Sequence, residues 1–209
     1  MSRIGILGGT FNPPHVGHLV MAQEALDQLG LERVVFMPVS APPHKQAAGD
    51  PGPAARVDLC HMAVAGDERF AVSTLEVDRG GPSYTVDTLR ALHERDPEHV
   101  LTFIVGGDMA HSLPTWREPE AVLALARLAV AEREGVRRQD IARRLADVPG
   151  ADGDDRLAFF DMPRIDVSSS DVRRRVAAGR PIRYLVPDAV AEAIERRGWY
   201  ATVDGRPAP

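Results

Sequence analysis

The chain has 209 residues, 44% hydrophobic and 26% charged, and its 25 Lys and Arg against 30 Asp and Glu give a formal net charge of -5. This size and balance suit one α/β domain with a substantial core, and the charge excludes nonspecific nucleic-acid binding by bulk electrostatics while allowing a local basic pocket for a small anion. The single cysteine, Cys60, excludes an internal disulfide and a thiolate metal cluster. No window approaches the ~20 apolar residues of a membrane span and no signal segment is seen, so a cytoplasmic protein without a membrane partner is expected.

Ile4-Gly5-Ile6-Leu7 is short, branched and hydrophobic, as a buried parallel strand is. Gly8-Gly9-Thr10-Phe11-Asn12-Pro13-Pro14-His15-Val16-Gly17-His18 follows it, and its glycines let backbone N–H groups approach a ligand without side-chain obstruction. Val16, Leu19, Val20, Ala22, Leu26 and Leu29 then recur at helical spacing, predicting a helix over 16–29 that Gly30 ends. His15 and His18 fall on one face of its first turn, beside orphan N–H groups and the positive end of the helix dipole. An imidazole there can donate to a phosphoryl oxygen and, when protonated, stabilise the charge of a transferring phosphoryl group. The residues alone leave two other readings open. His15 can simply cap the helix while His18 packs, or the pair can share a zinc ion, with His44 the only other local ligand candidate.

Further strands are predicted at 33–38, 70–75, 100–105, 128–131 and 157–160, and helices at 53–65, 84–95, 119–126, 136–146, 169–178 and 187–197. This alternation predicts a doubly wound parallel sheet with ligands at the carboxyl ends of its strands, in a single domain over 1–204 with a small C-terminal helical part and a flexible tail at 205–209. Residues 39–53 read as a long loop, in which Ala41-Pro42-Pro43-His44-Lys45 either offers a lysine to a phosphate or is merely solvated. Cys60 lies in the apolar helical run 57–65 and reads as core. In Gly81-Pro82-Ser83-Tyr84-Thr85, Ser83 or Thr85 is expected as the N-cap of the next helix, beside a hydroxyl role toward a substrate.

Gly106-Gly107-Asp108 directly follows the strand at 100–105 and reads as a turn. There a backbone can approach a planar base and a carboxylate can reach a ribose, a metal or an amine. Leu113-Pro114-Thr115-Trp116 places an indole either to stack on a ring or to fill the core. Residues 148–156 read as a surface turn. Ser168-Ser169-Ser170-Asp171-Val172-Arg173 opens a helix, and Ser168-x-x-Asp171 is a capping box with a shortened acid. The same hydroxyls and N–H groups could instead form a second phosphate cradle, with Arg173 and Arg174 supplying positive charge.

Taken in order, Gly8 to His18, Pro42 to Lys45, Ser83 to Thr85, Gly106 to Asp108, Leu113 to Trp116 and Ser168 to Arg173 make the chain resemble bacterial nicotinate-nucleotide adenylyltransferases along its length. The closing stretch Ile182-Arg183-Tyr184-Leu185-Val186-Pro187 fits as well. The His-x-Gly-His element alone marks only the wider nucleotidyltransferase superfamily, which includes phosphopantetheine adenylyltransferases and cytidylyltransferases; the other motifs narrow it.

The resemblance implies a Rossmann-like fold and a reaction of NAD biosynthesis. ATP and nicotinate mononucleotide would give deamido-NAD and pyrophosphate, with magnesium (Mg2+) accompanying ATP. The mononucleotide phosphate would attack the α-phosphorus directly, so that positioning and charge stabilisation replace a covalent nucleophile. By the same resemblance, Gly8, Gly9, Thr10, Phe11, His15 and His18 hold the ATP phosphates, with His18 the transition-state contact, and Ser168, Ser169 and Arg173 complete that grip. Gly106 and Asp108 line the adenosine side, with Asp108 near the reacting phosphates or magnesium, and no metal is held by the protein alone. His44 and Lys45 serve the mononucleotide, Lys45 at its phosphate. Trp116 stacks on the pyridine ring, and Thr85 helps backbone N–H groups bind the carboxylate. His15, His18, Lys45, Asp108 and Arg173 form the implied catalytic set. Ser170 stands where the family commonly has threonine, keeping the hydroxyl. A homo-oligomer is compatible with this picture. A nicotinamide-preferring or dual-specificity enzyme, and a non-catalytic nucleotide sensor, are the rival readings.

Overall fold

The computed structural model describes residues 1–41, 49–132, 138–153, 155–203 and 206–207. In chain order its elements are β1 (Arg3–Gly9), α1 (Val16–Gln28), β2 (Arg33–Pro38), α2 (Pro53–Val64), β3 (Phe70–Val72), α3 (Leu75–Arg79), α4 (Thr85–Arg95), β4 (Val100–Gly106) and α5 (Gly107–Ser112). A 3₁₀ turn (Leu113–Thr115), α6 (Pro119–Leu125), β5 (Arg127–Glu132), α7 (Arg138–Leu145), β6 (Leu157–Asp161), α8 (Ser169–Ala177), α9 (Asp188–Arg197), β7 (Thr202–Val203) and β8 (Arg206–Pro207) follow. Six strands form one sheet in the order β3-β2-β1-β4-β5-β6. This is the doubly wound, Rossmann-like order expected from the alternation of strands and helices, and it reverses between β1 and β4, where such sheets bind ligands.

The chain divides into two compact units. The first comprises Met1–Gly8, Val20–Val35 and Ser83–Arg164, and the second Gly9–Leu19, Phe36–Pro82 and Ile165–Pro209. In the first unit β1 pairs in parallel with β4, placing Leu7 opposite Ile104, and β4–β5–β6 continue in parallel register. Their continuous buried runs, such as Leu101–Val105 and Leu128–Ala131, are what a parallel sheet covered on both faces requires. Gly5 permits this packing, because a Cβ there would lie 2.8 Å from Leu31 and 2.9 Å from Ile104. Gly30 ends α1 at φ 59, and the Leu31 N–H closes on the Leu26 carbonyl at 2.9 Å.

In the second unit Leu59, Val172, Ile182, Val186, Val190, Ile194 and Tyr200 form one buried cluster. Cys60 is buried in α2, and desolvation pushes its thiol up to about 12, so it is an inert core residue as its apolar run indicated. No helix among the described residues is long and apolar enough to cross a membrane.

Three expectations are corrected. The strand predicted at 70–75 stops at Val72, and Leu75 opens α3 instead, because the Ser73 Oγ accepts the Leu75 N–H (3.3 Å) and the Thr74 hydroxyl bonds Asp78 (2.6 Å). The turn at Gly106-Gly107-Asp108 is the start of α5. The N-cap of α4 is neither Ser83 nor Thr85 but Tyr84, at φ -105 and ψ 132, whose carbonyl takes both the N–H and the hydroxyl of Thr88. The helix predicted at 136–146 is described from Arg138 onward.

Candidate active site

The loop after β1 belongs to the second unit. Phe11 takes the left-handed region at φ 50, where a non-glycine residue costs roughly 1 kcal/mol or more. Aromatic burial offsets this, since its ring is 2% exposed, packs 5.6 Å from Phe36 and meets the His18 ring edge-on at 5.0 Å. The Asn12–Pro13 peptide is cis. At the start of α1 the His15 N–H donates to His18 Nδ1 (3.1 Å), and the two imidazoles lie 3.8 Å apart at an interplanar angle of 30°. Because Nδ1 accepts, a neutral His18 carries its proton on Nε2 and presents that atom as a donor. Gly17 leaves room beside the pair: a Cβ there would sit 3.1 Å from the His15 ring and press on it.

Distant residues brace this loop. Arg173 in α8 donates through Nη1 to the Asn12 carbonyl (2.6 Å) and through Nη2 to Ser170 Oγ (3.1 Å). The Ser169 hydroxyl donates to the Pro13 carbonyl (2.8 Å), and Ser168 Oγ accepts the Asp171 N–H (3.1 Å). The capping reading of Ser168 is therefore realised, and Ser169 ties α8 to the loop. Tyr200 donates its hydroxyl to Asn12 Oδ1 at 2.6 Å, and burial raises its pKa well above the ordinary value, so it remains a neutral donor. The Leu185 carbonyl takes the Val16 N–H (3.0 Å), satisfying an orphan donor of α1. Arg56, only 1% exposed, reaches the Thr10 carbonyl at 2.9 Å.

Tyr200 and Arg56 escape a reading of the sequence, and Leu185 is marked there only as part of the closing stretch, with no sign of its bond to Val16. Tyr200 lies 188 residues from Asn12, and nothing local marks it. Arg56 carries one signal, a charge on the stripe Arg56, Leu59, Cys60, Ala63 that otherwise reads as core. His44 and Lys45 lie outside the described residues.

The remaining sequence-predicted residues belong to the first unit, apart from Gly9, Thr10 and the loop and α8 residues above. Gly8 ends beside the Phe103 ring, which would stand 3.2 Å from an added Cβ. Gly106 closes β4, Gly107 is buried, and Asp108 is exposed in the first turn of α5. Thr85 is half-buried as the first residue of α4. Trp116 is half-buried too: its ring meets Phe103 edge-on at 6.0 Å, and its Nε1–H donates to Ser112 Oγ at 2.9 Å. The indole thus has one edge anchored in the core while remaining partly exposed.

Beside Trp116, Glu118 sits at φ 50 and is gripped by Arg90 at 2.6 and 3.3 Å. Arg117 lies 3.5 Å from Asp87 and 4.9 Å over the Tyr84 ring. The hydrogen bond from Arg90 holds the Glu118 carboxyl below its ordinary value of 4.5. No group of three or more His, Cys, Asp or Glu among the described residues could hold a metal ion, so His15 and His18 find no third zinc ligand there.

A cytidylyltransferase-like family model matches residues 6–175. A relative from Thermomicrobium roseum, named "probable nicotinate-nucleotide adenylyltransferase", is 45% identical over 98% of this chain and 94% of its own. The chain belongs to the nicotinate-nucleotide adenylyltransferase family. A Desulfitobacterium hafniense relative of the same name is 44% identical over 95% of both chains. Among solved structures, a Plasmodium falciparum nicotinic acid mononucleotide adenylyltransferase complexed with NaAD shares the fold, with a TM-score of 0.78 at 16% identity over 96% of this chain and 98% of that one. As a member of this nucleotidyltransferase family the chain is an enzyme, and the loop from Gly8 to His18 lies inside the matched region.

Proposed function

We propose that this chain transfers the adenylyl group of ATP to nicotinate mononucleotide, giving deamido-NAD and pyrophosphate as a step of NAD biosynthesis. The observation that carries the reading is the stacked His15–His18 pair at the head of α1, on a loop whose Asn12 carbonyl is held by Arg173, in a chain 45% identical to a family member along nearly its whole length. In the reaction an oxygen of the mononucleotide phosphate forms a bond to the α-phosphorus of ATP. The bond from that phosphorus to the bridging oxygen of the β-phosphate breaks, and pyrophosphate leaves with the electron pair.

The protein supplies no nucleophile; it positions both phosphates and offsets the charge. His18 would donate from Nε2 to the phosphoryl oxygens as charge builds up, with His15 beside it. Gly8, Gly9, Thr10 and Phe11 would offer backbone N–H groups, and Arg173 would add its fixed positive charge. Ser168 and Ser169 would complete the triphosphate grip at the head of α8, which Ser168 caps and Ser169 ties to the loop. Gly106 and Asp108 would face adenosine. Lys45, with His44 near it in sequence, would hold the mononucleotide phosphate, while Trp116 would stack on the pyridine ring and Thr85 would help bind its carboxylate. Magnesium fits here as a companion of ATP rather than a resident of a protein cage, because Asp108 is a lone exposed carboxylate; when bound it neutralises triphosphate charge.

The test is pyrophosphate release from ATP and magnesium with nicotinate mononucleotide, nicotinamide mononucleotide or phosphopantetheine as acceptor. The first should react much faster than the others and yield deamido-NAD by chromatography. Equal rates with the amide would establish dual specificity instead. ATP binding without turnover on any acceptor would establish a sensor.

A further inference from the structure

We infer that Arg56 is a positioning residue for adenylyl transfer: from the core it fixes the Thr10–Phe11 peptide of the phosphate loop and the two flanks of the 42–48 stretch. The inference rests on the function proposed above. Arg56 Nη1 donates to the Thr10 carbonyl (2.9 Å) and the Val39 carbonyl (2.8 Å), Nη2 to the Ser40 carbonyl (2.9 Å), and Nε to Asp50 Oδ1 (3.2 Å). The Asp50 carboxylate also takes the Gly52 N–H (2.9 Å) immediately before α2. One fork therefore joins the loop after β1, the chain leaving β2 and the chain entering α2.

Packing alone does not account for an arginine here. Burying a guanidinium carries a large desolvation penalty, and an apolar side chain of similar volume would fill the same space on α2 without it. What only the planar fork supplies is several directed N–H bonds at once. Their consequence for the site follows from peptide geometry. In a trans peptide the C=O and N–H point in opposite directions. Drawing the Thr10 carbonyl toward Arg56 turns the Phe11 N–H the other way, where it serves as a donor to an anion. Phe11 holds the left-handed conformation at φ 50, so this peptide plane needs an external tether to keep its orientation. Asn12, the next residue, is tethered separately by Arg173 and Tyr200, so Arg56 governs the part of the loop that those two do not reach.

The test compares wild type with Arg56→Lys, which keeps the charge but loses the fork, and with Arg56→Gln, which keeps part of the fork without the charge. ATP affinity is measured by calorimetry without acceptor, and kcat and KM for both substrates are measured on protein shown to melt cooperatively. Both variants should bind ATP ~10-fold more weakly or worse, and kcat/KM for ATP should fall by up to ~10²-fold, as displaced catalytic geometry does. Wild-type ATP affinity in the folded variants, with turnover lost only in proportion to unfolded protein, would overturn the inference. Amide hydrogen exchange in the wild-type protein gives a reading that no folding defect can obscure. ATP should slow exchange at Phe11, and unchanged exchange there would equally overturn it. If wild type bound ATP but adenylated no mononucleotide, the functional reading would fail, while the ATP affinities would still decide the role of Arg56.

Discussion

The phosphate loop and the Thr85–Trp116 region are held by opposite means. In the loop, Phe11, Asn12 and His15 are 2%, 2% and 6% exposed, and Arg56, Arg173, Ser169 and Tyr200 fix Thr10, Asn12 and Pro13 through short hydrogen bonds. Around Trp116 the braces are surface ion pairs, Arg90–Glu118 and Arg117–Asp87, whose side chains are 43%/37% and 52%/34% exposed. Hydrogen bonds in a low-dielectric interior respond little to salt, whereas exposed pairs are screened and contribute little. Where the proposed function would have charge develop, the geometry is preorganised, as electrostatic catalysis requires. Around Trp116, where the proposed function puts the pyridine ring, the support is softer, and the anchored indole would do most of the positioning.

The largest effect belongs to the loop. His18→Ala should lower turnover by ~10²-fold or more with only a modest change in ATP affinity, because a transition-state donor acts on the chemical step. Unchanged kcat in steady-state assays would break the comparison at its strongest point. Tyr200→Phe comes next. It leaves the buried Asn12 Oδ1 without its donor, which should cost about 1–3 kcal/mol in denaturant unfolding and raise KM for ATP more than KM for the mononucleotide. An effect on the mononucleotide alone would show that the loop is not an ATP element.

Trp116→Ala should raise KM for nicotinate mononucleotide ~10-fold and leave ATP binding intact, in keeping with the energy of ring stacking and burial. If affinity for the mononucleotide were unaltered, the stacking role would be wrong. The smallest effect concerns Glu118→Gln. Arg90 depresses the Glu118 pKa below 4.5, so the stabilisation is present above the ordinary carboxylate value and is lost as pH falls through the lowered one. Wild type should melt slightly above the variant at neutral pH and low salt. The two curves should converge in acid and in high salt, and a gap that persisted in both would show that the pair is not a screened surface contact.

Most of the sheet was legible because its strands are buried on both faces and read as apolar runs: 33–38 and 100–105 fall within a residue of β2 and β4. The short helices α3 and α5 were not, since each has too few residues for a period, and α3 starts through local bonds at Ser73-Thr74. At the site, His15, Gly17 and His18 announce themselves by spacing, and the structure shows that a side chain at Gly17 would press on the His15 ring. For Ser168 and Ser169 the sequence allowed both capping and phosphate binding, and only the bonds to the Asp171 N–H and the Pro13 carbonyl show their structural work. The bonds from Tyr200 and Leu185 join residues far apart in sequence to the loop and leave no local pattern.

The most direct test of this division of labour is the ratio of kcat/KM for nicotinate mononucleotide to that for nicotinamide mononucleotide, measured side by side in wild type, Tyr200→Phe and Trp116→Ala. The account predicts a ratio well above one in wild type, the same ratio in Tyr200→Phe despite its lower activity on both acceptors, and a lower ratio in Trp116→Ala, because without the stacked indole the pyridine ring is no longer held where Thr85 and backbone N–H groups tell carboxylate from amide. A ratio that moved in Tyr200→Phe and held in Trp116→Ala would contradict it.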